Sequence, residues 1–319
     1  MIQLNMQLDI HENKYDLVTI GEILVDLISD EYGENFESNT YSKYFGGSVA
    51  NIAMNCRKLG IKSNVISSIG RDGLGEFLLN EIKSKSDLPV QYINKVEGST
   101  SLVLVTKSKG SPKPIFYRDA DYQLEYNDAI EELINKSTII HFSTWPLTHK
   151  LSRQVVEKII NISQQRGKFI GMDPNYHPAL WEGSQGGVNY IKNILKDVNV
   201  IKPSEDDARR LFGEDTPENQ IDKFHNLGVD LVLMTLGAEG AIISDGQNKV
   251  YLKTMANDVV DVTGAGDAFW SGFYSALIKK YTVIEAVKVG LAVSAYKLKY
   301  TGAVVDLPDL KTIKKLYHL

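Results

Sequence analysis

The chain has 319 residues, 43% hydrophobic and 24% charged, with a formal net charge of −5. That length suits one large α/β domain or two small ones, and the composition is that of a globular protein. No Lys/Arg-rich run with interleaved aromatics occurs, which argues against a nucleic-acid partner, and no apolar run reaches the roughly 18 residues of a membrane span.

Met1–Lys14 is polar and mildly acidic, unlike a signal peptide, so a cytoplasmic protein is expected. Apolar runs then alternate with amphipathic stretches. Leu17–Ile28 predicts a strand, Val49–Leu59 a helix ending at Gly60, Asn64–Ile69 a strand and Leu74–Ile82 a helix. The single cysteine, Cys56, falls in the helical stripe Val49, Ile52, Ala53, Cys56, Leu59 and reads as a buried structural thiol in a reducing compartment. The alternation resumes with strand Thr138–Phe142, helix Leu151–Gln164, strand Phe169–Met172, helix Val188–Leu195, strand Val198–Ile201, helix Ala208–Phe212 and strand Leu231–Leu236. A Rossmann-like α/β fold follows, with a mostly parallel sheet covered by helices on both faces.

Two regions break the pattern. Ser29–Phe45 is polar and aromatic, and Val90–Arg118 holds short β-branched runs, Leu102–Thr106 and Ile115–Tyr117, around a Lys-Gly-Ser-Pro turn at 109–112. Both read as short antiparallel strands that leave the main sheet and form a small lid. The main domain is thus expected over 15–29, 46–90 and 119–319, and the lid over 30–45 and 91–118. An exposed strand edge and apolar face on such a lid favour a homodimer.

The stretch with most chemical content is 261–269, Asp-Val-Thr-Gly-Ala-Gly-Asp-Ala-Phe. Gly264, Ala265 and Gly266 let the backbone turn sharply and aim N–H groups at one place, and the helix expected over Ala268–Ile278 would point its positive end there. Asp267 sits at that helix start, where the dipole favours the ionised carboxylate. It would serve as a base for an attacking hydroxyl or simply as a helix cap. Gly46 and Gly47 open the earlier helix, with Asn51 one turn in, able to donate and accept hydrogen bonds to sugar hydroxyls. Asp26, near the end of the first apolar run, stands where parallel sheets place ligands. Neither a Walker P-loop nor a full dinucleotide fingerprint occurs.

Asp173-Pro174-Asn175 closes one strand and Lys202-Pro203-Ser204-Glu205-Asp206-Asp207 another. Carboxylates at successive strand ends suit a hydrated magnesium ion bound mainly through water and phosphates, while Ser204 to Asp207 equally suits a helix N-cap with an acidic first turn. Thr235-Leu236-Gly237-Ala238-Glu239-Gly240 either holds a nucleotide or makes a hairpin turn.

The order of these pieces, from Gly21-Glu22 through Gly46-Gly47-x-x-x-Asn51, Asp173-Pro174-Asn175, Lys202-Pro203-Ser204 and Thr235-Leu236-Gly237 to Asp261–Asp267, resembles the ribokinase-like (PfkB) carbohydrate kinases from about residue 15 to the end. The resemblance implies an enzyme that transfers the γ-phosphoryl of ATP to a sugar hydroxyl with magnesium. Asp267 would be the base and Gly264, Ala265 and Gly266 the anion hole. Asp26, Gly46, Gly47, Asn51, Asp173 and Asn175 would face the sugar. Lys202, Ser204, Thr235, Gly237 and Gly240 would face the nucleotide, and Asp207 the magnesium. Asp261, Thr263 and Gly302 match positions around a monovalent cation in potassium-activated members. Phe116-Tyr117-Arg118-Asp119-Ala120-Asp121 is similar to the Tyr-Arg and Ala-Asp of fructokinases, which makes Arg118 a sugar contact and fructose the expected substrate. Kinases of 2-keto-3-deoxygluconate also carry a Tyr-Arg there, and a nucleoside kinase or a non-catalytic sugar-binding regulator are further readings on the same fold. Departures from the family pattern are Ser204 and Asp207 in place of Asn and Glu, His177 in place of an Arg, and Asp306 near the cation loop.

Overall fold

The computed structural model describes residues 2–33, 36–107, 114–181 and 184–319. In its first half the chain runs β1 (Tyr15–Ile20), β2 (Leu24–Tyr32), β3 (Tyr41–Gly46), α1 (Ser48–Lys58), β4 (Ser63–Gly70), α2 (Gly73–Lys85), β5 (Ile93–Val96), β6 (Leu102–Lys107) and β7 (Ile115–Tyr117). Then come α3 (Asp128–Asn135), β8 (Ser137–Ser143), α4 (Lys150–Gln165), β9 (Phe169–Asp173), α5 (Ser184–Ile194), β10 (Val200–Ile201), α6 (Glu205–Phe212), α7 (Pro217–Asn226) and β11 (Leu231–Thr235). The last elements are β12 (Ala241–Ser244), β13 (Lys249–Leu252), α8 (Ala265–Ile278), α9 (Val283–Lys297) and α10 (Leu310–Leu316).

The strands make two sheets. One is nine-stranded, in the order β13-β12-β11-β10-β9-β8-β1-β4-β5, parallel from β11 to β5 with an antiparallel β12–β13 edge. Its central strands are buried on both faces. Leu17, Ile139 and Val200 pack against α1, α8 and α9, while their neighbours Val18, Ile140 and Ile201 pack against the helices of the opposite face. This two-sided burial explains why these strands read as continuous apolar runs rather than alternating ones. The chain winds from β1 outward to β4 and β5, then returns to lay β8 on the other side of β1. The carboxyl ends of β1 and β8 therefore flank a topological switch point, where a crevice opens.

The second sheet is four-stranded, ordered β3-β2-β6-β7, and it rises from that crevice. Three sequence expectations are corrected here. The run Leu17–Ile28 is two strands, because the chain breaks at Gly21-Glu22-Ile23 and β2 enters the second sheet, so Asp26 lies in the lid and not at the end of a main-sheet strand. The lid is not wholly antiparallel: β2 and β6 pair in parallel, since α1, β4, α2 and β5 intervene and return the chain in the same direction. Ile93–Val96, expected in the lid, pairs with β4 as the edge of the main sheet. The turn at 109–112 lies outside the described residues.

Candidate active site

Asp267 is the third residue of α8, whose N-cap Gly264 takes a left-handed φ of 74°. A side chain on Gly264 would put its Cβ 2.7 Å from Ala303, so this turn requires glycine twice over. The Ala265 N–H is spent on the Val262 carbonyl at 3.1 Å. The N–H groups of Gly266 and Asp267 belong to the first turn, which has no intrahelical acceptors, so they are free to receive an anion.

Two residues of α1 fix the Asp267 carboxylate. Ser48 Oγ donates to Oδ1 at 2.6 Å and Asn51 Nδ2 donates to Oδ2 at 2.8 Å. Asn51 keeps its own Oδ1 buried without a partner, an acceptor available to a ligand hydroxyl. The sequence suggested that the helix dipole keeps Asp267 ionised. Burial dominates instead and raises its pKa, opposed by the hydrogen bonds from Ser48 and Asn51. A carboxylate of raised pKa is a stronger base, which suits proton abstraction from a hydroxyl.

The lid brings a second carboxylate to the same place. Asp26 sits opposite Tyr44 on β3 and Val103 on β6, and Val103 in turn opposes Phe116 on β7. Its carboxylate lies over Gly46, where a Cβ would come within 2.4 Å of Oδ2. Burial, and then the charge of Asp267, push Asp26 up to about 7. A carboxylate raised by burial and by the charge of a neighbouring carboxylate is the arrangement expected where polar hydroxyls are gripped and one of them is deprotonated.

On the other flank, Lys202 follows β10 and is buried, with Nζ 3.0 Å from Asp173 Oδ2. The same oxygen accepts the Trp270 indole N–H at 2.8 Å. Asp173, expected to face the sugar, is thus held by an ammonium and an indole at the end of β9. An added Cβ on Gly266 would lie 3.2 Å from Lys202 Nζ, so the ammonium stands beside the anion-binding turn. Positive helix terminus, free N–H groups and lysine converge on one spot, as a transferring phosphoryl group requires. Asn175, two residues on, is exposed and takes a φ of 37°.

Ser204 and Asp207 form a capping box on α6, Asp207 N donating to Ser204 Oγ and Ser204 N to Asp207 Oδ2, both at 3.1 Å. Asp207 Oδ1 also accepts from Tyr176 N at 2.9 Å. Both carboxylate oxygens are therefore engaged locally, and burial followed by the charge of Asp173 raises the Asp207 pKa. Among the described residues no group of three or more metal-ligating side chains exists. The donor set fits a magnesium ion carried by nucleotide phosphates and water, with at most a carboxylate such as Asp207 or Asp173 at its margin. Ser204 and Thr235 meet in a parallel bridge where β10 and β11 end. Gly237 lies in the short turn after β11, and Gly240, whose Cβ would be 2.0 Å from Leu252 O, closes the β11–β12 hairpin. The segment is the hairpin turn, set beside the strand ends that carry Lys202.

Arg118 ends the lid and clamps Asp121, with Nε and Nη2 donating to Oδ2 at 2.9 and 2.6 Å over the face of Trp145. Trp145 Nε1 donates to the same oxygen at 2.6 Å, and Phe116 packs edge-on against both Trp145 and His177. Burial and the nearby Arg210 lower the His177 pKa, so this imidazole is neutral at pH 7.

Several residues of the site were not singled out in the sequence. Glu22, in the break between β1 and β2, is buried at 3% exposure and accepts from Ser48 N at 3.2 Å, behind the Ser48 that holds Asp267. Its backbone oxygen would lie 2.4 Å from a Cβ on Gly47, whose φ of 112° begins α1. Burial pushes Glu22 up to about 8. A group protonated in the fold and ionised in the unfolded chain contributes stability that is full below pH 4.5 and fades as pH rises through about 8. Glu22→Gln, which mimics the protonated acid, is expected to flatten the fall of Tm across that interval; an unchanged slope in pH-resolved thermal unfolding would refute the assignment.

A helix start with free N–H groups, a buried carboxylate held by two donors and a β lid beside a topological switch point are the parts that a carbohydrate kinase needs. The chain matches the family model described as pfkB family carbohydrate kinase over residues 14–310, and it belongs to that family. It is 53% identical over 319 residues, all of this chain and 99% of the relative, to the ATP-dependent 6-phosphofructokinase of Thermoanaerobacterium thermosaccharolyticum. It is 30% identical to the 2-dehydro-3-deoxygluconokinase of Bacillus subtilis over 318 residues, 95% and 94% of the two chains. Among solved structures it resembles the fructokinase of Halothermothrix orenii, with a TM-score of 0.80 and 39% identity over 89% of this chain and all of that one.

Proposed function

We propose that the protein transfers the γ-phosphoryl of ATP to a hydroxyl of a fructose ring, with free D-fructose the first reading and fructose 6-phosphate as product. The observation that carries it is Asp267, held by Ser48 and Asn51 and faced by Asp26 beneath the lid. Asp267 takes the hydroxyl proton, Asp26 and Asn51 orient the ring, and the Gly266 and Asp267 N–H groups with Lys202 receive the charge on the transferring phosphoryl. Magnesium, held by the phosphates, would add a further positive charge at that group. The nucleotide would lie toward Ser204, Thr235, Gly237 and Gly240. Cytoplasmic location and a homodimer through the lid complete the reading; Tyr117 and Ile115 of β7 are exposed on it at 55% and 38%.

Charge favours a neutral sugar. Arg118 is neutralised by Asp121, His177 is uncharged, and two carboxylates face the crevice. Fructose 6-phosphate is the second reading, supported by the 53% identity to an enzyme named 6-phosphofructokinase. The acidic 2-keto-3-deoxygluconate stands behind both, because its carboxylate needs the cation that Asp121 already takes. The test is kcat/KM for the three acceptors with magnesium and ATP. Free fructose is expected to lead; a lead for fructose 6-phosphate would move the reading to the second acceptor, and turnover of none would overturn it.

A further inference from the structure

Two loops cross behind the anion-binding turn, 258–264 and 297–303. Asp261 ties them together: Gly302 N donates to its Oδ2 at 2.7 Å, Thr263 N to its Oδ1 at 2.9 Å, and Val260 N reaches the Leu298 carbonyl at 2.8 Å. These are the residues that the family resemblance associates with a monovalent cation. In this chain a cation is already supplied by the protein. Lys297, the last residue of α9, has no solvent exposure, and its Nζ donates to the Asp261 carbonyl oxygen at 2.6 Å with the Asp261 carboxylate at 4.0 Å.

We propose that the Lys297 ammonium does in this chain the work of a monovalent activator, bracing the Asp261 loop and through it the anion-binding turn, so that the enzyme needs no potassium. A potassium ion would have to use backbone carbonyl and carboxylate oxygens of the kind that Lys297 engages here, and an ammonium is similar to it in charge and size. The arrangement is also self-consistent in energy. A wholly buried lysine is tolerated only with partners, and this one has a carbonyl and a carboxylate on a loop whose position it fixes. Burial draws the Lys297 pKa down, while Asp261 and then Asp267 hold it up. Lys297 touches Asp261 and not the reacting groups, so it is a positioning residue.

The experiment pairs two readouts, since the activity arm rests on the sugar-kinase reading and the thermal arm does not. Wild type and Lys297→Met are compared in tetramethylammonium chloride and in potassium chloride at equal ionic strength, by Tm and by ATP turnover with the preferred acceptor. Wild type is expected to show the same Tm and turnover in both salts. Lys297→Met is expected to lose about tenfold in turnover and to recover both turnover and Tm selectively with potassium, an effect of the size usual for coupling between neighbouring sites. Selective activation or thermal stabilisation of the wild type by potassium would overturn the proposal, as would a folded Lys297→Met whose Tm and turnover ignore potassium. If Lys297→Met does not fold, the wild-type comparison decides alone; if no acceptor is turned over, the thermal arm still does.

Discussion

Asp267→Asn is expected to lower kcat by about 10²–10⁴ while leaving the fold intact, the range that loss of a positioned general base commands. Asparagine keeps the size of the side chain and an oxygen for Ser48 or Asn51, whose donors now meet at the two carboxylate oxygens. What it loses is the ability to accept a proton. Because burial raises the Asp267 pKa, the same substitution should also abolish the acid limb of the pH–rate profile that this group creates. The rate rises as pH climbs through the pKa of Asp267, since only the ionised form is a base. Steady-state kinetics across pH check both effects, with KM for the sugar moving less than kcat. Equal loss in both, or a Tm far below wild type, would assign Asp267 to holding α1 against α8 instead, through Ser48 and Asn51.

Lys202→Met should be the most damaging change to stability and a severe one to rate. Lys202 and Asp173 are an almost fully buried pair, 6% and 9% exposed at their side chains. Removing the ammonium leaves the carboxylate with the Trp270 indole alone, and breaking one side of a buried pair costs about 3–5 kcal/mol. The methionine also withdraws the positive charge beside Gly266, where phosphoryl charge develops, at an expected loss of about 10²–10³ in kcat. The two effects separate in the double variant. Lys202→Met with Asp173→Asn removes the orphaned charge, so urea unfolding should recover most of the stability while turnover stays low. Recovery of turnover along with stability would show that Lys202 serves the fold only.

The residues legible in the sequence are those whose chemistry is set by local pattern. Gly264 and Asp267 lie within four positions of one another at the start of an apolar helix, and Gly46, Gly47 and Asn51 do the same for α1. A strand-end carboxylate is a different case. Asp173 looks from the sequence like a ligand contact, yet it is neutralised by Lys202, 29 residues on, and accepts a hydrogen bond from Trp270, 97 residues on. Nothing local tells a carboxylate facing a ligand from one facing a buried ammonium. Glu22, Ser48 and Lys297 escape notice for the same reason, because their partners are fixed only by the meeting of α1, α8 and α9. The lid shows a further limit. Leu17–Ile28 is mostly apolar on either side of Gly21-Glu22 but serves two sheets, so periodicity finds the strands and misses the sheet to which the second half belongs. The Val-rich α9 is buried almost all round and carries no polar face to announce a helix.

The measurement that tests the central claim most directly is ADP release by the purified protein with ATP and magnesium, with and without fructose or fructose 6-phosphate, beside Asp267→Asn. Release that depends on the acceptor and vanishes in Asp267→Asn is the predicted result. Release that ignores the acceptor, or that survives in Asp267→Asn, would contradict a sugar kinase built on this base.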